Sequence, residues 1–162
     1  MRTGRLGTAR PAARTKLAII LFWVGPYRLG IDASALKEIR NDDGSTAADL
    51  GCTSILSARE FLGIAAEEGK RLLVLRPGRV ALRVALRVDR VERMIETNAV
   101  RPLPRAFRGA EREWYCGLAC DGEMIFPVLN SDAVRRAAQL AIPEIVSSGL
   151  VRENFYQEAA SR

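Results

Sequence analysis

Apolar and polar residues alternate along the centre of the chain. One face of the pattern carries Val80, Leu82, Val84, Leu86 and Val88, and the other carries Ala81, Arg83, Ala85, Arg87 and Asp89. A period of two predicts a strand over residues 79–91 with one buried and one solvated face. Ala-Leu-Arg-Val also repeats every four residues, which leaves a helix as the alternative, but the β-branched content favours the strand.

The residues before this segment complete a hairpin. Leu72–Arg76 is a second apolar run, and Pro77-Gly78 joins it to the alternating strand. Proline fixes φ at the second position of a turn and glycine accepts a positive φ at the third, so the pair predicts a type II turn.

A continuous apolar run, Leu17–Val24, ends at Gly25-Pro26. Its β-branched and aromatic residues predict a strand buried on both faces, with Tyr27–Ile31 pairing back against it. Its eight residues fall far short of the roughly 20 that cross a bilayer, so we expect no membrane insertion and a cytoplasmic protein.

A second hairpin is predicted near the end of the chain. Trp114–Cys120 and Glu123–Leu129 flank Asp121-Gly122, a pair typical of tight hairpin turns. Pro127 cannot donate a hydrogen bond to a neighbouring strand, which predicts an edge or a bulge there.

A helix is predicted to follow this hairpin. Asn130 or Ser131 would cap a helix over Asp132–Ala141 that ends before Pro143. Its apolar stripe consists of Val134, Ala138 and Ala141.

Composition and charge define a folded body between two polar ends. Hydrophobic residues make up 48% and charged residues 27%, as in ordinary globular proteins. Residues 1–16 carry five of the 25 basic residues and no acid, which leaves 20 basic against 19 acidic residues in the remainder. We therefore expect a disordered basic arm over 1–16, a domain over 17–142 and a tail of uncertain structure over 143–162.

The residue types give no positive sign of catalysis. The sequence has no histidine, no phosphate-binding glycine loop and only three cysteines, Cys52, Cys116 and Cys120, without metal-ligand spacing. We expect these thiols to be buried and reduced, and the acidic pairs Asp42-Asp43 and Glu67-Glu68 to be solvated. The chain is predicted to be no enzyme, with no cofactor and no metal.

The order of segments from Leu17 to about Val134 resembles the CheW-like family. The motif "G-I-D-x-x-x-V-x-E-I" is matched by residues 30–39, followed by Arg40, and a "V-D-x-V" strand end by residues 88–91. Residues 101–104 match a short proline motif, and Trp114–Leu118 matches an aromatic residue before "x-x-G-L".

This resemblance implies a mainly β fold of two small five-stranded SH3-like barrels with a C-terminal helix. It implies an adaptor that binds the regulatory domain of a CheA-type histidine kinase and the cytoplasmic tip of a chemoreceptor. Glu38 matches a family acid at the partner contact, and the residues assigned to partner binding on this basis are Leu36, Glu38, Arg40 and Asp89.

One segment departs from the family pattern. Residues 41–63 are shorter than usual and lack the "N-L-R-G" turn, so no arginine here aligns with the one that many members present to partners. We therefore expect altered docking through the first barrel. The alternative function is a small β-barrel that binds nucleic acid through its basic N-terminal arm, although the alternating strand lacks the aromatic residues typical of such surfaces.

Overall fold

The structure, a computed structural model, describes residues 16–65, 69–79, 81–109 and 111–140. The predicted tail over 143–162 and all of the predicted arm except Lys16 lie outside the described residues.

Nine strands and three short helices build the described part of the chain. The strands are β1 (Leu17–Val24), β2 (Tyr27–Asp32), β3 (Leu36–Asn41), β4 (Ser54–Ser57), β5 (Arg71–Leu75), β6 (Val84–Val88), β7 (Arg90–Thr97), β8 (Tyr115–Asp121) and β9 (Met124–Leu129). The helices are α1 (Ala58–Phe61), α2 (Glu111–Trp114) and α3 over residues 131–140, and one 3₁₀ turn spans Ala33–Ala35.

The first sheet, here called the five-stranded unit, has the order β7-β1-β2-β9-β8. β1 runs antiparallel to both β2 and β7, as its apolar content predicted for a central strand. Ile19 and Leu21 of β1 pack with Phe126 and Val128 inside this unit, whereas Phe22 points into the core shared with the rest of the molecule. Both faces of β1 are therefore largely buried, which confirms the prediction for this strand.

Gly30 in β2 shows why the "G-I-D" motif begins with glycine. A Cβ atom at Gly30 would lie 2.7 Å from Cγ2 of Ile19 and 2.8 Å from Cε2 of Phe126. These separations are shorter than van der Waals contact, so a side chain at this position would force the core of the five-stranded unit apart.

The second sheet, the four-stranded unit, has the order β3-β5-β6-β4. β5 runs antiparallel to β3 and β6, and β4 runs parallel to β6. Leu73, Leu75 and Leu86 face the core shared with the five-stranded unit, into which α3 also inserts Val134 and Ala138.

The predicted hairpin around Pro77-Gly78 is partly wrong. β5 and β6 pair as expected, but residues 76–79 and 81–83 form no strand and β6 begins only at Val84. The backbone of Arg76 is bonded to distant segments instead of across a tight turn. Its N–H donates to the Ala35 carbonyl (2.8 Å), and its carbonyl accepts from Nε and Nη2 of Arg135 (3.0 and 2.7 Å).

The alternating strand also divides earlier than predicted. β6 ends at Val88, and after Asp89 the chain enters the five-stranded unit as β7. Ala85, predicted on the solvated face, is fully buried against Leu50, Leu72 and Val74. The prediction was wrong there because the segment before β4, including Leu50, folds over that face of the sheet.

The second hairpin is confirmed. Asp121 pairs with Met124 across the turn, and Gly122 has a φ of 61°. The edge or bulge predicted at Pro127 is confirmed only as a local edge, since β9 as a whole lies between β2 and β8. Pairing with β2 covers only Val128 and Leu129, so Pro127 is paired on one side, with Leu118.

The predicted helix is confirmed over its described residues. The Oδ1 of Asn130 accepts a hydrogen bond from the N–H of Asp132 (3.1 Å), and Val134 and Ala138 are fully buried. Ala141, the third member of its apolar stripe, lies outside the described residues.

The observed class is the predicted one: mainly β, with two small SH3-like units and a C-terminal helix. The four-stranded unit has one strand fewer than expected over the residues that the structure covers. None of the described helices is long and apolar enough to span a bilayer.

Candidate functional site

The predicted partner-binding residues centre on β3, an edge strand of the four-stranded unit. Among the described residues β3 is paired only with β5, so its outer edge keeps free backbone groups. The pairing register shifts between Leu36 and Glu38, which makes Lys37 a bulged residue. Glu38 and Arg40 are both exposed on this strand.

Leu36 occupies a different environment from its two neighbours. It is 6% exposed and belongs to the core between the two units. Its carbonyl accepts a hydrogen bond from Nε of Arg76 (2.8 Å), which ties the start of β3 to the end of β5. Leu36 can therefore position the strand, while Glu38 and Arg40 are the members of the set that a partner can reach.

Asp89 lies away from β3, at the junction between β6 and β7. Its carboxylate accepts hydrogen bonds from Nε and Nη2 of Arg59 (2.8 and 2.7 Å) and from the N–H of Gly25 (2.6 Å). The hydrogen bond from Arg59, supported by that from Gly25, lowers the pKa of Asp89. Asp89 thus joins α1, the β1–β2 turn and the crossing between the two units.

Arg59 is a structural residue that the sequence did not reveal. It lies in the shortened segment, its side chain is 13% exposed, and it also donates from Nη1 to the Ala65 carbonyl (2.8 Å). Thirty residues separate Arg59 from Asp89, and no local pattern links the two. Of this pair, only Asp89 was singled out in the sequence, through the "V-D-x-V" motif.

A network of charged residues covers one end of the five-stranded unit. Glu92 accepts from Nε1 of Trp23 (2.9 Å) and from Nε and Nη2 of Arg28 (3.0 and 2.7 Å). Arg28 and Arg93 both pair with Asp121 as well. The hydrogen bonds from Arg28 and then Trp23 lower the pKa of Glu92 to about 2. This network connects β7 with β8, the two ends of the strand order.

The acidic and sulfur groups form no metal centre in the part of the chain that the structure describes. Asp42, predicted to be solvated, is instead ion-paired with Arg87, while Asp43 caps a local turn by accepting from Ser45. Glu67 and Glu68 lie outside the described residues.

The three cysteines are free, as predicted, but their burial differs from the prediction. Cys52 is half-buried, and Cys116 and Cys120 are exposed. Exposure arises because Cys116 and Cys120 lie on the outward-facing positions of β8, next to the buried Gly117 and Ala119.

Sequence comparison finds no match, since no protein-family model and no curated protein is similar enough to this chain. Structural comparison does find similar chains. The scaffolding protein TtCheW from Thermoanaerobacter tengcongensis superimposes with a TM-score of 0.57 at 14% identity, over 72% of this chain and 90% of that one. At this identity the likeness shows the fold alone, and the chain has the fold of a CheW scaffolding protein.

Proposed function

We propose that this protein is a non-catalytic adaptor in chemotaxis-type two-component signalling. In this role it binds the regulatory domain of a CheA-type histidine kinase and the cytoplasmic tip of a chemoreceptor. The proposal is supported by the fold, which it shares with a protein described as a scaffolding protein, and by the sequence motifs that resemble the CheW-like family.

The observation that carries the proposal is the open edge of β3. An edge strand offers a row of backbone donors and acceptors to a partner strand, and side chains beside it give specificity. Glu38 and Arg40 are exposed on this strand and carry opposite charges. Leu36 anchors the start of β3 in the core, and the Arg59–Asp89 pair stabilises the crossing between the two units.

The absence of catalysis in this proposal rests on residue types. The sequence contains no histidine, which removes the commonest general base. An adaptor requires surfaces of complementary shape and charge instead of titrating groups. The exposed Glu38 and Arg40 beside the edge of β3 support this role for the four-stranded unit.

Direct binding tests the proposal. The chain is titrated calorimetrically with the purified regulatory domain of a CheA-type kinase from the same organism, and separately with a receptor cytoplasmic fragment. Saturable binding to one of them is expected. Absence of binding to both proteins would overturn the proposed function.

A second test addresses the shortened segment. Residues 41–63 lack the turn that usually carries the partner-facing arginine, and altered docking through the first barrel was expected on this basis. These residues lead into and form β4 of the four-stranded unit, so we expect the altered docking there. A bidentate arginine contact is not replaced easily by other residues. The chain should therefore fail to restore full swarming and receptor-controlled kinase activity in a coupling-protein deletion strain. Full restoration of both would contradict this expectation.

A further inference from the structure

A cavity opens beside β3 on the face of the four-stranded unit that Leu50 covers. Its volume is about 400 Å³, within the range of ligand-binding pockets. Leu50 and Val74 give it an apolar floor, and the exposed Pro77 borders it. The remaining lining residues are Lys37, Gly51, Cys52, Arg76, Arg83 and Leu75, whose side chain faces the core on the other side of the sheet.

Three cations surround this basic cavity without a carboxylate among its lining residues. Lys37, Arg76 and Arg83 are exposed, and none of them forms an ion pair with any residue that the structure describes. Arg76 donates from Nε to the carbonyl of Leu36, which fixes the guanidinium at the rim. Like charges gathered in a concavity attract anions and repel one another, so an anionic occupant would relieve the repulsion.

The cations approach the cavity from different segments of the chain. Lys37 comes from the bulge in β3, Arg76 follows β5, and Arg83 precedes β6. Nη1 of Arg83 lies 3.8 Å from the position that a Cβ on Gly51 would take. Burial raises the pKa of the Cys52 thiol, and the charges of Lys37 and Arg83 oppose that rise. The charge of Glu38 acts on the same thiol in the opposite direction. Both cations therefore reach the same point in the cavity, and the nearby Glu38 carboxylate is not among the lining residues.

We propose that the basic cavity binds an acidic peptide segment of a partner protein. An aliphatic side chain of the peptide packs against the floor formed by Leu50 and Val74 and against Pro77, and flanking carboxylates pair with Lys37, Arg76 and Arg83. The apolar surface that Pro77 and Cys52 leave accessible beside this floor distinguishes the occupant from a bare phosphate ion, because only a ligand with an apolar part gains from covering it. The inference goes beyond the proposed adaptor function and does not depend on it.

The test uses a short fluorescent peptide of alternating glutamate and leucine and the full chain. Fluorescence anisotropy should show saturable binding that weakens as salt is added. Arg83→Glu should weaken the binding by about tenfold or more, since a charge-assisted hydrogen bond contributes roughly 1.5–3 kcal/mol. Lys37→Glu should do the same, which guards against one variant failing to fold.

Arg105→Glu is the matched control. Arg105 is exposed in the connection between β7 and α2, does not line the cavity, and its substitution changes the net charge equally. Its peptide affinity should equal that of the unaltered chain. Equal weakening by Arg105→Glu, or no weakening by either cavity variant, would overturn the proposal.

Two further measurements separate the possible ligands. A peptide with glutamine in place of glutamate should bind at least about tenfold more weakly, and equal binding would show an apolar groove without charge selection. Inorganic phosphate should displace the acidic peptide no better than chloride does at the same ionic strength. Displacement by phosphate well below matched chloride would assign the cavity to a small anion and contradict the peptide proposal.

Discussion

The two sheets differ in whether the charged side chains at their borders are ion-paired. At the end of the five-stranded unit, Arg28 is bonded to both Glu92 and Asp121 and is nearly buried. In the four-stranded unit, Lys37 and Arg83 border an open cavity and have no carboxylate partner in the described chain. Charges therefore close the structure in the first unit. In the second unit Arg87 is paired with Asp42, but the cations around the cavity remain available for a partner.

The difference follows from how each sheet is completed. The five-stranded unit brings the ends of its strand order together through the ion pair of Arg93 and Asp121. Over the residues that the structure covers, the four-stranded unit has β3 and β4 as open edges, and a loop that carries Leu50 covers its outer face. Partner contacts are therefore expected in the four-stranded unit.

The largest expected effect is on the core of the five-stranded unit. Phe126→Ala should lower the free energy of unfolding by about 3–5 kcal/mol, because Phe126 is 1% exposed and its loss leaves a cavity. Ile125→Ala is the neighbouring control, since Ile125 is 65% exposed, and it should change stability by less than about 0.5 kcal/mol. Urea denaturation measures both, and similar losses would show that the register of β9 is wrong.

The next effect concerns the link between the two units. Asp89→Asn removes the carboxylate that Arg59 and Gly25 share, and should cost about 1.5–3 kcal/mol because the bonds are charge-assisted and partly buried. Glu96→Gln breaks the exposed Lys16–Glu96 pair and should cost at most about 1 kcal/mol. Equal costs in urea denaturation would argue against a structural role for Asp89.

The charge network of the five-stranded unit should respond to acid. The pKa of Glu92 in the folded protein is lowered from 4.5 to about 2. The ionised carboxylate therefore stabilises the fold fully above about pH 4.5, and this stabilisation is lost as the pH falls through about 2. The difference in urea midpoint between the unaltered chain and Glu92→Gln should be constant from neutral pH to about 4.5 and then shrink. A difference that persists unchanged in acid would contradict this assignment.

The smallest effect has the opposite sign and belongs to the four-stranded unit. Lys37→Gln removes one of three mutually repelling cations and should raise the free energy of unfolding by up to about 0.5 kcal/mol. Arg28→Gln, in the paired network, should lower it. Thermal denaturation at low salt compares them, and a loss of stability in Lys37→Gln would show that Lys37 has a structural partner.

Local patterns predicted the hairpin at Asp121-Gly122, the buried run Leu17–Val24 and the cap at Asn130, because each depends on residues close together in sequence. The connection over residues 76–83 was not predictable in this way. Arg135 bonds to the carbonyl of Arg76 across 59 positions, and that contact decides the path.

The sequence predicted some residues of the candidate site but not the contacts that they make. The motif assigned Leu36, Glu38 and Arg40 to one candidate site, but it could not reveal that Leu36 is core while the other two are exposed. The pairing of Asp89 with Arg59 and the gathering of cations around Cys52 both depend on distant segments. Sequence periodicity carries no information about such contacts.

The central claim is that partners dock on the four-stranded unit, at the edge formed by β3. Glu38→Lys and Glu123→Lys make the same charge change on two exposed residues, the first on β3 and the second in the turn between β8 and β9. Binding of the CheA-type regulatory domain, measured by calorimetry, should weaken at least about tenfold in Glu38→Lys and stay unchanged in Glu123→Lys. Equal affinity of both variants and the unaltered chain would contradict the account.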